Sequence, residues 1–203
     1  MARAKSGKSR EQRVVGVGAS AGGLEPLRQL IAALPTTTGL ALVVLQHLPP
    51  SQTGKLAALL ASATQLPVID AVNGHRVMPN TIVVVPPRTS ASLVRGALVL
   101  RVSTGGARPR QPIDGLFTSL AAALGPRAIG VVLSGSANDG TEGLRAIRAA
   151  GGLTLVQDPA TAQFDEMPRS ALAEGVAEAV LAPAELGARL AATSTDAPRI
   201  APA

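Results

Sequence analysis

Cysteine, tryptophan and tyrosine are all missing from this 203-residue chain, and phenylalanine occurs only twice. Without cysteine there can be no disulfide and no thiolate metal site. That fits the cytoplasm, which is the compartment we expect. With almost no aromatic rings there is no platform for stacking bases. No apolar run approaches the ~18 residues of a membrane span, so membrane insertion is not expected. Histidine is scarce too: His47 and His75 are the whole supply. No metal-ligand spacing is present, and no cofactor is expected.

The charge is not scarce, but it is unevenly spread. The net charge is +6. Arg3, Lys5, Lys8, Arg10 and Arg13 against Glu11 put +4 of it into the first thirteen residues. Such a run is usually a solvated tail, so the body is close to neutral and nucleic-acid binding is not expected. The same stretch lacks the apolar core of a secretory signal. We expect residues 1–12 to be a flexible basic lead, residues 13–192 to be one catalytic domain, and residues 193–203 to be a flexible C-terminal tail. The length suits one core of ordinary size.

The strongest local signal is Val14-Val15-Gly16-Val17-Gly18-Ala19-Ser20-Ala21-Gly22-Gly23, followed by apolar residues at helical spacing from Leu24. It reads as strand, tight turn, helix. Three readings of the turn compete. Gly16, Gly18 and Ala21 fit a dinucleotide fingerprint, in which glycines admit a pyrophosphate to the helix start. Gly18-Ala19-Ser20-Ala21-Gly22 fits a nucleophile elbow, in which small neighbours let a sharp turn lift the serine oxygen clear of the sheet. In the third reading, Ser20 only caps the helix. The second strand, Leu40–Leu45, favours the elbow. A dinucleotide site wants a carboxylate at its end; this one ends in Gln46-His47. An imidazole is the usual base for activating a serine.

Further along, apolar strands are expected at Val68–Ala71, Thr81–Val85, Ala128–Leu133, Leu153–Val156 and Val176–Leu181. Helices are expected near Thr53–Ala63 with Ser51 as cap, Ile113–Leu124, Thr141–Ala150, Ser170–Glu174 and Ala184–Ala192. Ser92–Val94 and Ala97–Val102 flank Arg95-Gly96 as a hairpin. Continuous apolar strands alternating with helices predict a doubly wound α/β/α three-layer sandwich, mostly parallel, with one antiparallel hairpin. Ligands in such folds bind beyond the carboxyl ends of the strands. Ser20, His47 and Asn138-Asp139 all fall there. His75, in an Asn-Gly turn, reads as a surface residue.

A serine–histidine pair needs a carboxylate to fix the imidazole tautomer. Asp139, after the Ala128 strand, is the first choice, although it could simply cap a helix. Asp158 is the second. Asp114 reads as a first-turn helix residue. The order Ser, His, Asp is not that of the α/β-hydrolases, so a triad here would stand on another fold.

Gly18-Ala19-Ser20-Ala21-Gly22-Gly23, Gln46-His47-Leu48-Pro49-Pro50 and Gly135-Ser136-Ala137-Asn138-Asp139-Gly140 resemble, in the same order, the three signatures of chemotaxis protein-glutamate methylesterases. Arg108-Pro109, Ile113-Asp114 and Met167-Pro168-Arg169-Ser170 add to it, and the likeness runs from about Arg13 to Leu190. The wording around Ser20 and Gln157-Asp158-Pro159-Ala160-Thr161-Ala162 is similar to the branch often fused to a methyltransferase. The resemblance implies a serine hydrolase that removes methyl groups from glutamate γ-esters on cytoplasmic helices of chemoreceptors, and in some members deamidates glutamine there. It implies Ser20 as nucleophile, His47 as base and Asp139 as orienter. Donors at Ala21, Ser136 and Asn138 would bind the oxyanion or the substrate.

There are three departures from the family pattern. Ala21 stands where threonine is common. Ser136-Ala137 replace Met-Gly in the second turn. Twelve lead residues are too few for the receiver domain of the best-known members, which leads us to expect a separate regulator and a monomer. A non-catalytic binding module on the same fold is the competing reading.

Overall fold

The structure is a computed structural model, and it describes residues 12–47, 55–103 and 111–195. Seven strands form one sheet: β1 Val14–Ala19, β2 Ala41–Gln46, β3 Val68–Asp70, β4 Thr81–Val84, β7 Ala128–Val132, β8 Leu153–Gln157 and β9 Ala179–Leu181. Their order is β3-β4-β2-β1-β7-β8-β9 and every pairing is parallel. β5 Thr89–Val94 and β6 Ala97–Val102 pair separately as an antiparallel hairpin. The expected fold class therefore holds, with the hairpin outside the main sheet.

The central strands are apolar throughout because both faces are covered. Val15, Val17 and Ala19 pack on one side with Leu27, Leu30 and Ile31 of α1 Leu24–Ala32, Leu60 of α2 Lys55–Ala61, and Leu186 and Leu190 of α6 Pro183–Thr195. Ala41, Val43 and Leu45 face the other side. That face carries α3 Pro112–Leu124, α4 Thr141–Ala149, α5 Glu166–Ala173 and the hairpin. Phe117 of α3 is fully buried at its centre. The glycines of the first motif have their use here. A side chain at Gly18 would run into Ile113, and one at Gly16 would lie 2.7 Å from Phe117 and Leu120 atoms. Gly16 and Gly18 sit inside β1 and let α3 lie close. They are not a phosphate turn, which disposes of the dinucleotide reading.

Element boundaries differ from expectation at three informative places. The helix expected from Ser170 begins at Glu166. Pro168 falls in its first turn, where a missing N–H costs nothing. The last strand begins at Ala179 rather than Val176, because Val176 closes the turn after α5, with its N–H donating to Ala171. The last helix continues to Thr195. Thr193 is buried, and its carbonyl accepts from Arg13 Nη1 at 3.1 Å. At the other end Gln12 Nε2 donates to the Val77 carbonyl at 3.1 Å. The proposed Ser51 cap lies outside the described residues.

Strand order reverses at β1: the chain passes through β2 to the edge strand β3, fills the gap with β4, then crosses to β7 on the opposite side of β1. Such a reversal leaves a crevice at the carboxyl edge of the strands. The turns after β1, β2 and β7 all open into that edge.

Candidate functional site

The turn after β1 is held from beneath. Ser20 N–H donates to the Ser134 carbonyl at 2.9 Å, and Gly23 N–H closes the turn onto the Ser20 carbonyl at 3.1 Å. Ser134, fully buried, sends its hydroxyl to the Ala21 carbonyl at 2.9 Å. Gly22 takes φ of +68°, and a side chain there would press on Gln163 and Ser134; only glycine makes this corner without strain. Gly135 is equally restricted, since an added Cβ would come 2.7 Å from the Cβ of Ser20. Ser20 does not cap α1. The cap position is Gly23, and the Ser20 hydroxyl is turned to the strand edge instead.

β1 and β2 run parallel with Ala19 opposite Gln46. The next residue of each strand is therefore Ser20 on one and His47 on the other. His47 N–H bonds the Ala19 carbonyl at 3.0 Å, fixing its backbone. Its Nδ1 lies 3.3 Å from Ser20 Oγ. On the far side of the ring, Nε2 lies 3.0 Å from Asp139 Oδ2. The carboxylate stands off the N–H axis, so Nε2 makes no well-aligned hydrogen bond. With the proton on Nε2 facing the carboxylate, the Nδ1 lone pair faces the serine.

Asp139 is buried, with its carboxylate fixed by backbone donors. Oδ2 accepts from Ile113 N–H at 3.1 Å and Oδ1 from Asp114 N–H at 2.9 Å. These are orphan donors of the first turn of α3. Asp139 does cap a helix, but the helix is α3 and not the α4 that follows it in sequence. The cap and the histidine contact share one carboxylate.

The second carboxylate candidate is placed elsewhere. Asp158 Oδ1 accepts from Ala160 N–H at 2.9 Å, capping the 3-10 turn Pro159–Thr161. His75 lies in a turn tied to β6, where Leu98 N–H donates to its carbonyl at 2.8 Å. Among the described residues neither is bonded to Ser20 or His47.

A cavity of about 250 Å³ opens beside His47 and Asp139, with Ser136, Asn138, Arg88 and Gln111 in its wall. That is room for roughly eight waters at ~30 Å³ each, or one side chain; cofactor and drug pockets start near 300 Å³. Of the residues singled out from the sequence, His47, Ser136, Asn138 and Asp139 line it, while Ser20 and Ala21 lie outside the lining. Among the described residues, the N–H groups of Ala21 and Ser136 have no protein partner. Among the described residues no group of three acidic or histidine side chains could hold a metal.

Four contributors escaped sequence reading. Gln46, nine-tenths buried, donates from Nε2 to the Ser20 carbonyl at 3.2 Å. Ser134 ties two turns together. Arg88 enters the wall from a left-handed backbone, φ 58°. Glu166 accepts from Ala137 N–H at 2.7 Å. Gln46 adjoins His47 in the second motif and could have been found from it. The other three are brought in by tertiary contacts that leave no local pattern.

The family model described as CheB methylesterase matches residues 15–190. The chain belongs to the CheB methylesterase family. A protein-glutamate methylesterase/protein-glutamine glutaminase of Anaeromyxobacter dehalogenans is 41% identical over 193 residues, covering 91% of this chain and 55% of that protein. One of the same name from Moorella thermoacetica is 35% identical, covering 91% of this chain and 45% of its own length. The chain thus spans about half the length of the curated relatives it matches. The catalytic domain of Thermotoga maritima CheB methylesterase superposes with a TM-score of 0.82 at 29% identity, covering 90% of this chain and 98% of that one. The likeness to CheB methylesterases therefore extends over the whole sheet and all three strand-end turns.

Proposed function

We propose that this chain hydrolyses γ-glutamyl methyl esters on protein, with Ser20 as nucleophile, His47 as base and Asp139 as orienter. The observation that carries the reading is the line Ser20 Oγ, His47 Nδ1, His47 Nε2, Asp139 Oδ2, with separations of 3.3 and 3.0 Å at its two ends. Membership of the CheB methylesterase family supports the substrate class. Residues 13–192 carry the catalytic unit in this reading.

The Ser20 hydroxyl attacks the ester carbonyl carbon while His47 Nδ1 takes its proton. Negative charge collects on the former carbonyl oxygen. The unpaired N–H groups of Ala21 and Ser136 are the donors we assign to it, with Asn138 holding the substrate beside them. Collapse breaks the bond to methoxide, which leaves as methanol with the proton from His47. Water then gives a proton to His47 and attacks the acyl carbon. Ser20 departs reprotonated, and a free glutamate remains. Asp139 steadies the imidazolium through both steps. A glutamine side chain would pass through the same acyl-enzyme with ammonia leaving, as the relatives' printed names include both reactions.

The substrates we propose are cytoplasmic helices of methyl-accepting chemoreceptors, reached by a monomer under a separate regulator in the cytoplasm. Arg88 has no acidic partner among the described residues. A partly buried arginine in the cavity wall suits a carboxylate-bearing surface. Among the described residues no helix is long and apolar enough to cross a membrane.

Methanol release from methylated receptor membranes tests the reading, with Ser20→Ala as control. Release by the native chain and none by the variant is expected. Equal release by both would overturn it.

A further inference from the structure

The turn that carries Ser136 is clamped by α5 at two successive peptides. Met167 N–H, in the first turn of α5, donates to the Gly135 carbonyl at 3.0 Å. Glu166, the first residue of that helix, accepts from Ala137 N–H through Oε2 at 2.7 Å. A third bond, Gly135 N–H to the Phe164 carbonyl at 2.9 Å, ties the turn to the segment before the helix.

A trans peptide points its C=O and its N–H in opposite directions. The Gly135 carbonyl faces α5, so the N–H of Ser136 in the same peptide faces away from it. The Ala137 N–H also faces α5, so the Ser136 carbonyl faces away as well. Ser136 is thereby held with both of its own backbone groups on the side opposite α5, and it lines the cavity beside His47. Its N–H has no partner among the described residues.

Ala137 pays for this arrangement. Its φ is +67°, the left-handed region, which costs a residue with a Cβ energy that glycine avoids. In this chain the conformation needs an outside hold, and a carboxylate accepting from a backbone N–H is a strong one.

We propose that Glu166 is a positioning residue: through Ala137 N–H it fixes the Ser136–Ala137 turn so that the Ser136 N–H meets the oxyanion of the tetrahedral intermediate. It touches no reacting atom. Its effect belongs to the transition state, because the charge it serves exists only there. The inference rests on the serine-esterase reading above.

The test uses the full chain and 4-nitrophenyl acetate, a small activated ester that needs no receptor. In Glu166→Ala, kcat should fall roughly tenfold with KM nearly unchanged, short of the ~10²–10³ seen when a donor is removed outright. Glu166→Gln keeps an acceptor oxygen of the same reach and should restore most of the rate. Unchanged kcat in Glu166→Ala, or equal losses in both variants, overturns the proposal. Amide hydrogen exchange in the native chain is a second measurement that needs no variant to fold. The Ala137 amide should be protected, and exchange at the rate of a free loop would overturn the proposal as well. Ser20→Ala separates the two levels. If that variant still turns over the ester, the esterase reading fails; if only the Glu166 results fail, the esterase reading stands and the clamp does not.

Discussion

Asp114 and Asp139 cap each other's helices. Asp139, just ahead of α4, accepts from the N–H groups of Ile113 and Asp114 at the start of α3. Asp114, in the first turn of α3, accepts through Oδ1 from Gly140 at 3.0 Å and Gly143 at 2.7 Å at the start of α4. Each carboxylate satisfies donors that the other helix cannot satisfy itself. The two helix N-termini are thus bolted together beside the cavity. The residue that faces His47 is part of the bolt, so the histidine contact inherits the rigidity of two helices.

Asp139→Asn therefore has two consequences. An amide offers one acceptor where the carboxylate offered two, so a cap bond is lost. A cost of about 1 kcal/mol is expected from capping substitutions. Turnover should fall by as much as ~10⁴-fold, because the amide no longer holds the required tautomer. Urea melts and steady-state rates on one preparation check both. Asp158→Asn should disturb only its own turn, and a larger rate loss there than at Asp139 would reassign the orienter.

The proposed mechanism puts Ser20 and His47 in one proton transfer, and in that case their losses should not add. Ser20→Ala, His47→Ala and the double variant should each lose roughly 10³-fold or more and settle at a similar floor. Stopped-flow or end-point methanol assays distinguish this from independent contributions. Near-native turnover in His47→Ala would remove it from the mechanism.

Much of this site was legible because it is local. Ser20 and His47 each follow an apolar strand directly, and the sheet's parallel register makes adjacent strand ends neighbours. Asp139 was found in the same way after β7. What remained hidden depends on packing between distant segments. The use of Gly16 and Gly18 was obscured because a tight turn and a close helix both ask for glycine, and only the position of α3 tells them apart. Asp114 looked like an ordinary first-turn acid, and nothing in its neighbours says that it reaches another helix. The start of α5 was misplaced because proline looks the same in sequence whether it breaks a helix or begins one.

Asp114 should also leave a mark on stability against pH. Burial, the largest influence, raises its pKa above the ordinary 3.8, and the Asp139 charge nearby pushes the same way against the backbone donors of Gly143 and Gly140. Its Oδ2 is buried without a partner among the described residues. A carboxyl whose folded pKa is raised favours the folded state when protonated. Its contribution is full below pH 3.8 and is lost as pH rises through the higher folded value. Asp114→Asn keeps an acceptor for the α4 cap and carries no charge at any pH. The stability of the native chain relative to this variant should decline as pH rises through that window and then level off. Denaturant titrations from acid to neutral pH measure it. A relative stability that climbs with pH would mean that the cap bonds outweigh burial.

Two glycines make opposite predictions on the same substitution. Gly115 lies in the interior of α3, and a Cβ there would meet nothing within 4 Å. Gly115→Ala should stabilise by roughly 0.5–1 kcal/mol, through the helix preference of alanine and the lower entropy of the unfolded chain. It should leave kcat alone. At Gly135 a Cβ would collide with Met167 and lie 2.7 Å from the Ser20 Cβ. Gly135→Ala should cost about 1–3 kcal/mol, as overpacking does. The two neighbours cannot both yield. Met167 is fully buried in the core, and its N–H holds the turn. Ser20 stands at the edge, so the expected relief is a shift of the serine that disturbs its contact with His47. That contact is 3.3 Å, and kcat should fall more than stability alone explains. Melting temperatures and single-turnover acylation of both variants check the pair. A Gly135→Ala enzyme that melts lower yet acylates at the native rate would show that Met167 gives way instead, and that the elbow is stiffer than the core behind it.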